Sequence, residues 1–325
     1  MSITSGLNPK IFYSTEADPE MEKFNTEIEK TLSKLPPLHS LPPQVIRDAR
    51  EQGQSIWGPF KILDEVEERI LKGSSGDVPV RVLVPEDIKG VYLHIHGGGF
   101  MLGRAHHYDE LMAAIAKMCQ VVTVSVDYRL APEDPYPAGP DDCETVAVWL
   151  AENAGSEFGT DRFVIGGESA GANLSAVTLL RMRDRHGFSG FCGAVLTYGG
   201  FDLSMTPSAK SWGERPLILT TPLIRWFHES YVSEDKITDP DVSPLYADLA
   251  EMPPALFTVG TLDPLLDDSL FMYARWIAGG NKAELAVYPG AIHGFNAFPL
   301  KAAGRANKKI ADFIRSCFKA SDRCY

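Results

Sequence analysis

The chain has 325 residues, of which 44% are hydrophobic and 23% charged, a composition that fits one large globular domain or a domain with a subdomain. Its formal net charge of -12 argues against a nucleic-acid or anionic-membrane surface, because such surfaces need clustered Lys and Arg. The first residues lack the basic start and apolar stretch of a secretion signal, and no eighteen apolar residues run together, so we expect a cytoplasmic protein without stable membrane association.

Residues 1–55 open the chain with a helical pattern that carries Met21, Phe24, Ile28 and Leu32 on one face. Two Pro-Pro pairs follow, and a second helical piece is predicted at 45–54. A hairpin is predicted next, with strands at 66–71 and 80–84 around a turn rich in Gly and Ser.

From residue 80 onward, β-rich runs alternate with helical stretches, which predicts a mostly parallel sheet of about eight strands with helices on both faces. Further strands are expected at 91–95, 121–126, 163–165, 194–198, 256–259 and 285–288. Helices are expected at 108–118, 141–152, 172–184, 265–278 and 303–319, each with apolar residues at three- and four-residue spacing.

Residues 201–241 interrupt the alternation and hold Trp212, Trp226, Phe227 and Tyr231 close together. Together with residues 1–55, this segment is predicted to form a lid above the sheet. The aromatic side chains are equally consistent with packing against the body and with lining a substrate site. The predicted organisation is therefore a cap in two parts, 1–55 and 201–241, and a core in two parts, 56–200 and 242–325.

The five cysteines are odd in number and never arranged as C-x-x-C. This pattern disfavours a zinc site and a disulfide framework, so the cysteines are interpreted as small apolar residues of the core. We expect neither a metal nor a cofactor.

The motif Gly167-Glu168-Ser169-Ala170-Gly171 directly follows the predicted strand 163–165. A Gly-x-Ser-x-Gly at the end of a strand aims the serine hydroxyl outward from a tight strand-to-helix turn, which suits a nucleophile. Glycines flank the serine because the crowded turn leaves no room for side chains. The motif alone is weakly specific, and its context carries the argument.

A serine hydroxyl needs a histidine to take its proton and a carboxylate to orient that histidine. In sheet enzymes of this kind the order is Ser, Asp or Glu, then His, each after a strand. Asp263 and His293 fit this order and follow the predicted strands 256–259 and 285–288. Asp267 and Asp268 are rivals, but they lie one turn into a helix, where acids are expected to complement the helix dipole.

The run His96-Gly97-Gly98-Gly99 follows the predicted strand 91–95 and suits an oxyanion hole. Without side chains, the backbone can approach a ligand and turn its N–H groups inward. The expected donors are the N–H groups of Gly98 and Gly99, with that of Ala170 behind the serine. A flexible turn is the alternative, but three consecutive glycines after a buried strand carry an entropic cost that a mere connector seldom needs. A phosphate loop fits poorly because neither of its glycine motifs is present.

Five motifs in this order resemble the hormone-sensitive-lipase-like branch of the α/β-hydrolases, a match that spans roughly residues 60 to 325. They are His96-Gly97-Gly98-Gly99-Phe100, Asp127-Tyr128-Arg129-Leu130-Ala131-Pro132-Glu133, Gly167-Glu168-Ser169-Ala170-Gly171, Asp263-Pro264-Leu265 and His293-Gly294-Phe295. The resemblance implies a serine carboxylesterase of α/β-hydrolase fold, with a helical cap built partly from the amino terminus and no cofactor. It also implies that Gly98, Gly99 and Ala170 form the oxyanion hole.

The chain departs from the family pattern in three places, one of which is Ala172, where a second glycine commonly follows the serine motif. Glu168 stands where this branch usually has Asp, and Leu266-Asp267-Asp268 replaces the Arg and acidic residues that often follow the Asp-Pro-Leu motif. The changes at Glu168 and Ala172 are expected to tune the pocket, and the change at 266–268 puts one nearby charge contact in doubt. The segment 127–133 is interpreted as a scaffold that ties the oxyanion loop.

The main hypothesis is hydrolysis of small-molecule esters with short to medium acyl chains through an acyl-enzyme. An amidase or deacetylase with the same residues is a close alternative, and a non-enzymatic small-molecule receptor on the same fold is a third. The sequence leaves open whether the chain forms a homodimer.

Overall fold

An eight-stranded β-sheet forms the centre of the protein. The structure, a computed structural model, describes residues 8–13, 18–73 and 76–319. The strands are β1 (Glu67–Gly73), β2 (Gly76–Leu83), β3 (Gly90–Ile95), β4 (Val121–Val126), β5 (Phe163–Glu168), β6 (Phe191–Thr197), β7 (Ala255–Leu262) and β8 (Ala283–Ile292). Their order across the sheet is β1-β2-β4-β3-β5-β6-β7-β8.

Among the strands of the described sheet, the first two pairings are antiparallel and the others are parallel. β1 pairs with β2 as the predicted hairpin, and β2 pairs with β4, whereas β4, β3, β5, β6, β7 and β8 pair in parallel. Parallel strands point their carboxyl ends to the same edge, so the loops that follow β3, β5, β7 and β8 meet there. The prediction of an α/β-hydrolase fold with about eight strands is confirmed.

Helices cover both faces of the sheet. In the described residues they are α1 (Pro19–Leu32), α2 (Pro43–Glu51), α3 (Asp109–Cys119), α4 (Ala138–Phe158), α5 (Ala170–His186), α6 (Pro207–Ser211), α7 (Thr221–Tyr231), α8 (Leu266–Ala278) and α9 (Lys301–Lys319). Successive strand residues such as Leu256 and Phe257 belong to different core clusters, one with α3 and α9 and the other with α4, α5 and α8. This two-sided burial explains the continuous apolar runs of the central strands.

The observed boundaries differ from the predicted ones where glycine or proline interrupts the apolar pattern. β5 runs on to Glu168 instead of ending at Ile165, because Gly166 and Gly167 continue the strand. A Cβ at Gly166 would lie 2.5 Å from the Tyr92 hydroxyl, so this close packing requires glycine. α4 begins at Ala138, directly after Pro137, rather than at residue 141.

The two segments outside the alternation contact each other as well as the sheet. In α1, Met21 is buried and the Asn25 side chain donates to the Gly290 carbonyl at 2.8 Å. Arg215, from the segment 201–241, pairs with Glu29 of α1 at 3.0 Å. These contacts agree with a cap in two parts, and the division at 55, 201 and 241 stays a prediction.

The cysteines agree only in part with the sequence interpretation. Cys119, Cys143 and Cys317 are free, and burial raises the pKa of the Cys119 and Cys317 thiols to about 11. Cys192 is buried but disulfide-bonded, contrary to its interpretation as a plain apolar core residue. Cys324 lies outside the described residues.

Within the ranges that the structure describes, no helix combines the length and the apolar character needed to cross a bilayer.

Candidate active site

Ser169 stands in a sharp turn between β5 and α5. Its backbone adopts φ 56° and ψ −119°, a conformation rare for residues with a side chain. The flanking glycines are required by close packing, because a Cβ at Gly167 would lie 2.1 Å from the Ile95 carbonyl oxygen and one at Gly171 would lie 1.9 Å from it. The turn therefore fits against β3 only with glycine on both sides of the serine, as the sequence predicts.

The structure brings Ser169, Asp263 and His293 together. The His293 Nε2 lies 2.9 Å from the Ser169 Oγ, and its Nδ1 lies 2.9 Å from the Asp263 Oδ2. Asp263 directly follows β7 and His293 directly follows β8, so both come from the edge where the parallel strands end. All three side chains are at the predicted place, in the hydrogen-bonded order that proton transfer from a serine requires.

The acid and the imidazole are shielded from bulk water. Asp263 is 2% exposed, and its Oδ1 accepts the backbone N–H of Leu265 at 2.9 Å. The Tyr198 ring lies 4.6 Å from the imidazole of His293. These contacts hold the carboxylate and the ring in one orientation, which is what an orienting acid needs.

Gly98, Gly99 and Ala170 border the same cavity as Ser169. Their backbone N–H groups form no hydrogen bond with any residue of the described part of the chain, so they are free to donate to a ligand. Gly98 has φ 120°, and a Cβ there would lie 2.4 Å from the Gly103 nitrogen. The loop 96–99 therefore has a fixed, closely packed conformation and is not a flexible turn.

The segment 127–133 ties this loop from behind, as the sequence predicts. The Tyr128 hydroxyl donates to the His96 carbonyl at 2.9 Å, and the Ala131 N–H donates to the Phe100 carbonyl at 3.0 Å. The Tyr128 ring also stacks on the His96 ring at 4.2 Å. Burial lowers the pKa of His96 to about 3, so this ring packs as a neutral group.

Glu168 contacts a histidine that the sequence did not link to the site. The His94 Nε2 lies 3.0 Å from the Glu168 carboxylate, and the His94 Nδ1 lies 2.7 Å from the Ser125 hydroxyl. His94 is fully buried on β3. This network fixes the Glu168 side chain next to Ser169. The sequence signal that could have indicated it is a histidine inside the buried run of β3, where a polar side chain needs a hydrogen-bond partner.

Asp267 and Asp268, the rivals of Asp263, have other partners. Asp268 is fully buried and accepts the backbone N–H groups of Phe201 and Asp202 and the Thr206 hydroxyl. Asp267 accepts the N–H of Ser208 at 2.8 Å. The interpretation of both as complements of a helix dipole is therefore incomplete, because they anchor the start of the segment 201–241.

A cavity of about 450 Å³ opens above Ser169 and lies between the sheet and the segments at 38–61 and 218–228. Its apolar lining includes Leu38, Trp57, Phe60, Leu102, Leu111, Tyr198, Ile218, Leu219, Ile224, Phe227 and Leu265. Of the four aromatics singled out in the sequence, Phe227 alone lines this cavity. Tyr231 instead stacks on Phe100 at 4.0 Å, so both sequence interpretations hold for different residues.

The sequence did not identify the cavity residues that come from 50–61. Trp57 packs over Gly294, next to His293, and stacks on Phe298 at 5.1 Å. Arg50 and Phe60 also line the cavity. No motif marks these positions, and the aromatic residues of an otherwise polar stretch are the only signal that could have indicated them.

One group of possible metal ligands occurs among the described residues. The ligand atoms of Glu51, His106 and His107 lie within 4.8 Å of one another. Each histidine Nε2 lies 2.9 Å from a different oxygen of the Glu51 carboxylate, so the three side chains satisfy one another by hydrogen bonds. None of the steps available to Ser169, His293 and Asp263 needs a metal or a cofactor.

Comparison with known proteins agrees with this geometry. A family model described as alpha/beta hydrolase fold matches residues 92–297. The chain is 34% identical over 264 residues to carboxylic ester hydrolase LipN of Mycobacterium tuberculosis, covering 78% of this chain and 70% of that protein. It is 35% identical over 267 residues to carboxylesterase NlhH of the same organism, covering 78% and 82%.

Solved structures of esterases share the fold. A hyperthermophilic esterase from Pyrobaculum calidifontis superimposes with a TM-score of 0.84 at 32% identity, covering 94% of this chain and 99% of that one. A thermostable esterase from Pseudomonas putida ECU1011 gives 0.84 at 25% identity, with the same coverage. The chain belongs to the α/β-hydrolase family, in its hormone-sensitive-lipase-like branch.

Proposed function

We propose that Ser169 is the nucleophile, His293 the general base and acid, and Asp263 the orienting acid of a serine carboxylesterase. The observation that carries the proposal is the pair of 2.9 Å contacts that join the serine hydroxyl to the imidazole and the imidazole to the buried carboxylate. The enzyme is a carboxylic ester hydrolase, as are the named relatives.

Hydrolysis proceeds in two halves on these residues. The Ser169 Oγ attacks the acyl carbon while the His293 Nε2 takes its proton, and the resulting oxyanion accepts the N–H groups of Gly98, Gly99 and Ala170. Collapse breaks the acyl C–O bond, and the imidazolium protonates the leaving alkoxide. A water then attacks the acyl-enzyme by the same route and releases the acid.

The oxyanion donors stabilise charge that exists only in the transition state. Because the loop 96–99 is held by Tyr128 and Ala131, the donors need no reorganisation when the charge forms. Removal of one such donor typically costs about 3 kcal/mol in the activation barrier.

The substrates are esters with short to medium acyl chains. A cavity of about 450 Å³ is near the small end of ligand sites, which span about 300–1,000 Å³. Its lining is mainly apolar, which favours acyl and alcohol groups of modest size over long chains. A cytoplasmic location stays a prediction from the sequence, and the sequence leaves the oligomeric state open.

The test is the Ser169→Ala protein on a short-chain nitrophenyl ester. We expect hydrolysis to fall to the background rate while the circular dichroism spectrum and melting temperature stay near those of the wild type. The matched control is Ser156→Ala, the same change at an exposed serine of α4, which should keep full activity. Substantial turnover by folded Ser169→Ala protein contradicts the proposal.

An amidase or deacetylase with the same residues is the alternative. The names of the relatives favour ester hydrolysis. Rates on an ester and an amide with the same acyl and leaving groups compare the two directly, and we expect the ester to be strongly preferred.

A further inference from the structure

Arg50 is a charged side chain of the active-site cavity without an acidic partner. It lies in the last turn of α2, is partly buried, and lines the same cavity as Ser169. Within residues 8–13, 18–73 and 76–319, its guanidinium makes no hydrogen bond or ion pair, and its Nε is buried without a partner. The guanidinium makes a cation–π contact with the Phe60 ring, whose centre lies 5.8 Å from the Arg50 Cζ.

The two arginines that are buried in the described part of the chain are both paired. Arg81 is held by Asp109, and Arg181 by Asp241 and two further acids. A guanidinium nitrogen that is buried without a partner is unfavourable, and an arginine keeps its charge in proteins. Arg50 is therefore an exception that calls for an anion from outside the chain.

The neighbouring carboxylate is not available to Arg50. Both oxygens of Glu51 accept from the imidazoles of His106 and His107 at 2.9 Å. The Phe60 ring stacks on His107 at 3.9 Å, and both side chains line the cavity together with Arg50. Arg50 thus faces the cavity with an aromatic wall beside it and its nearest acid already engaged.

The other charges around the cavity are screened or paired. Lys61 and Glu110 line it but are exposed to solvent, where their opposite charges act weakly. Glu168 is bonded to His94. Of the two cationic side chains that line the cavity, Arg50 is less exposed to solvent than Lys61 and has no acidic partner. An anionic group that enters the cavity is therefore expected to bind at Arg50.

We propose that Arg50 binds a carboxylate of the substrate, so that the enzyme acts on esters that carry a free carboxylate. A planar guanidinium donates two parallel N–H···O bonds to a carboxylate, a geometry that a lysine cannot supply. This inference rests on the proposed function of Ser169. The carboxylate belongs either to the acyl group or to the alcohol group of the ester.

Whether the carboxylate is on the acyl group or on the alcohol group, the reaction is hydrolysis of one ester bond by one water molecule. With a half-ester of a dicarboxylic acid, water adds across the acyl C–O bond and gives the dicarboxylic acid and an alcohol. With an acetylated hydroxy acid, the same bond breaks and gives acetic acid and the hydroxy acid.

The experiment compares each carboxylate ester with a neutral ester of similar length. The acyl pair is monoethyl glutarate and ethyl pentanoate, and the alcohol pair is 4-acetoxybutanoate and pentyl acetate, with products measured by chromatography. For the wild type we expect kcat/KM to favour the carboxylate ester at least about 10-fold in one pair, the size of effect that a charged hydrogen bond gives. No preference in either pair overturns the proposal.

Variants of Arg50 test whether this side chain causes the preference for carboxylate esters. Arg50→Met should lower the ratio of carboxylate to neutral kcat/KM by about 10- to 100-fold, mainly through KM, because a binding contact is lost. Arg50→Lys should restore part of the ratio. Arg225→Met, the same change at an exposed arginine of α7 outside the cavity lining, should leave the ratio at the wild-type value. An unchanged ratio in folded Arg50→Met protein contradicts the proposal.

A measurement on the wild type covers the case in which Arg50 variants fail to fold. Glutarate should inhibit hydrolysis of the neutral ester competitively and more strongly than glutaramide, which lacks the charge. Equal inhibition by the two overturns the proposal. Because the neutral ester is itself hydrolysed, loss of the carboxylate preference is distinguished from failure of the esterase function.

Discussion

Gly171→Ala tests how the turn that holds Ser169 depends on close packing. Gly171 is the second residue of α5, and a Cβ there would lie 1.9 Å from the Ile95 carbonyl oxygen and 2.7 Å from that of His96. Both are backbone atoms, so no side chain can turn away. Ordinary contact begins near 3.4 Å, so α5 and β3 must separate by about 1.5 Å.

That separation changes both stability and activity. Overpacking a well-packed site typically costs about 1–3 kcal/mol, and a clash with backbone on a central strand belongs at the upper end. Ser169 is two residues before Gly171, whereas the loop 96–99 directly follows Ile95. A shift of about 1 Å between reacting groups costs roughly 100-fold in rate, so we expect kcat/KM to fall by about that factor or more.

Gly304→Ala is the matched control. Gly304 is an exposed residue of α9 where a Cβ would meet nothing within 4 Å. In an open helical position alanine is favoured over glycine by about 0.5–1 kcal/mol, so this variant should be slightly more stable and fully active. Urea unfolding and nitrophenyl ester kinetics measure both variants. A Gly171→Ala protein as stable and active as the control refutes the packing argument.

Three further changes test individual contacts. Asp263→Asn should lower kcat by about 10,000-fold, because the amide stabilises the wrong imidazole tautomer, and kinetics that retain a tenth of the wild-type rate contradict its role. Asp109→Asn should lower the unfolding free energy by about 3–5 kcal/mol, because it leaves Arg81 buried with its main partner lost, and a loss below about 1 kcal/mol in urea titrations would count against this. Thr220→Ala should cost about 1 kcal/mol, since its hydroxyl caps α7 by accepting the Leu223 N–H, and an unchanged unfolding midpoint would show that the cap is dispensable.

Much of the sheet could be predicted because its strands are buried on both faces. Runs such as Val121–Val126 are β-branched and apolar throughout, which leaves little choice of structure. The end of β5 could not be predicted in the same way. Gly166 and Gly167 have no apolar signal, and the reason they extend the strand is a contact with residues 70 positions earlier or more.

In the candidate site too, some residues could be predicted from the sequence and others could not. Ser169, Asp263 and His293 were predictable because their motifs, their order and their positions after strands can all be read directly from the sequence. The role of Asp268 was not, because its partners lie 62 to 67 residues earlier. Arg50 was missed for the same reason: its place in the cavity depends on how the segment 38–61 packs, which no local pattern encodes.

The proposed mechanism depends on Ser169 being an activated nucleophile. The most direct measurement is labelling of the wild-type protein with a fluorophosphonate probe, followed by mass spectrometry of its peptides. We expect one phosphonylated residue, Ser169, and no labelling after His293→Ala. Labelling of another serine instead, or none at all in a folded protein, would contradict it.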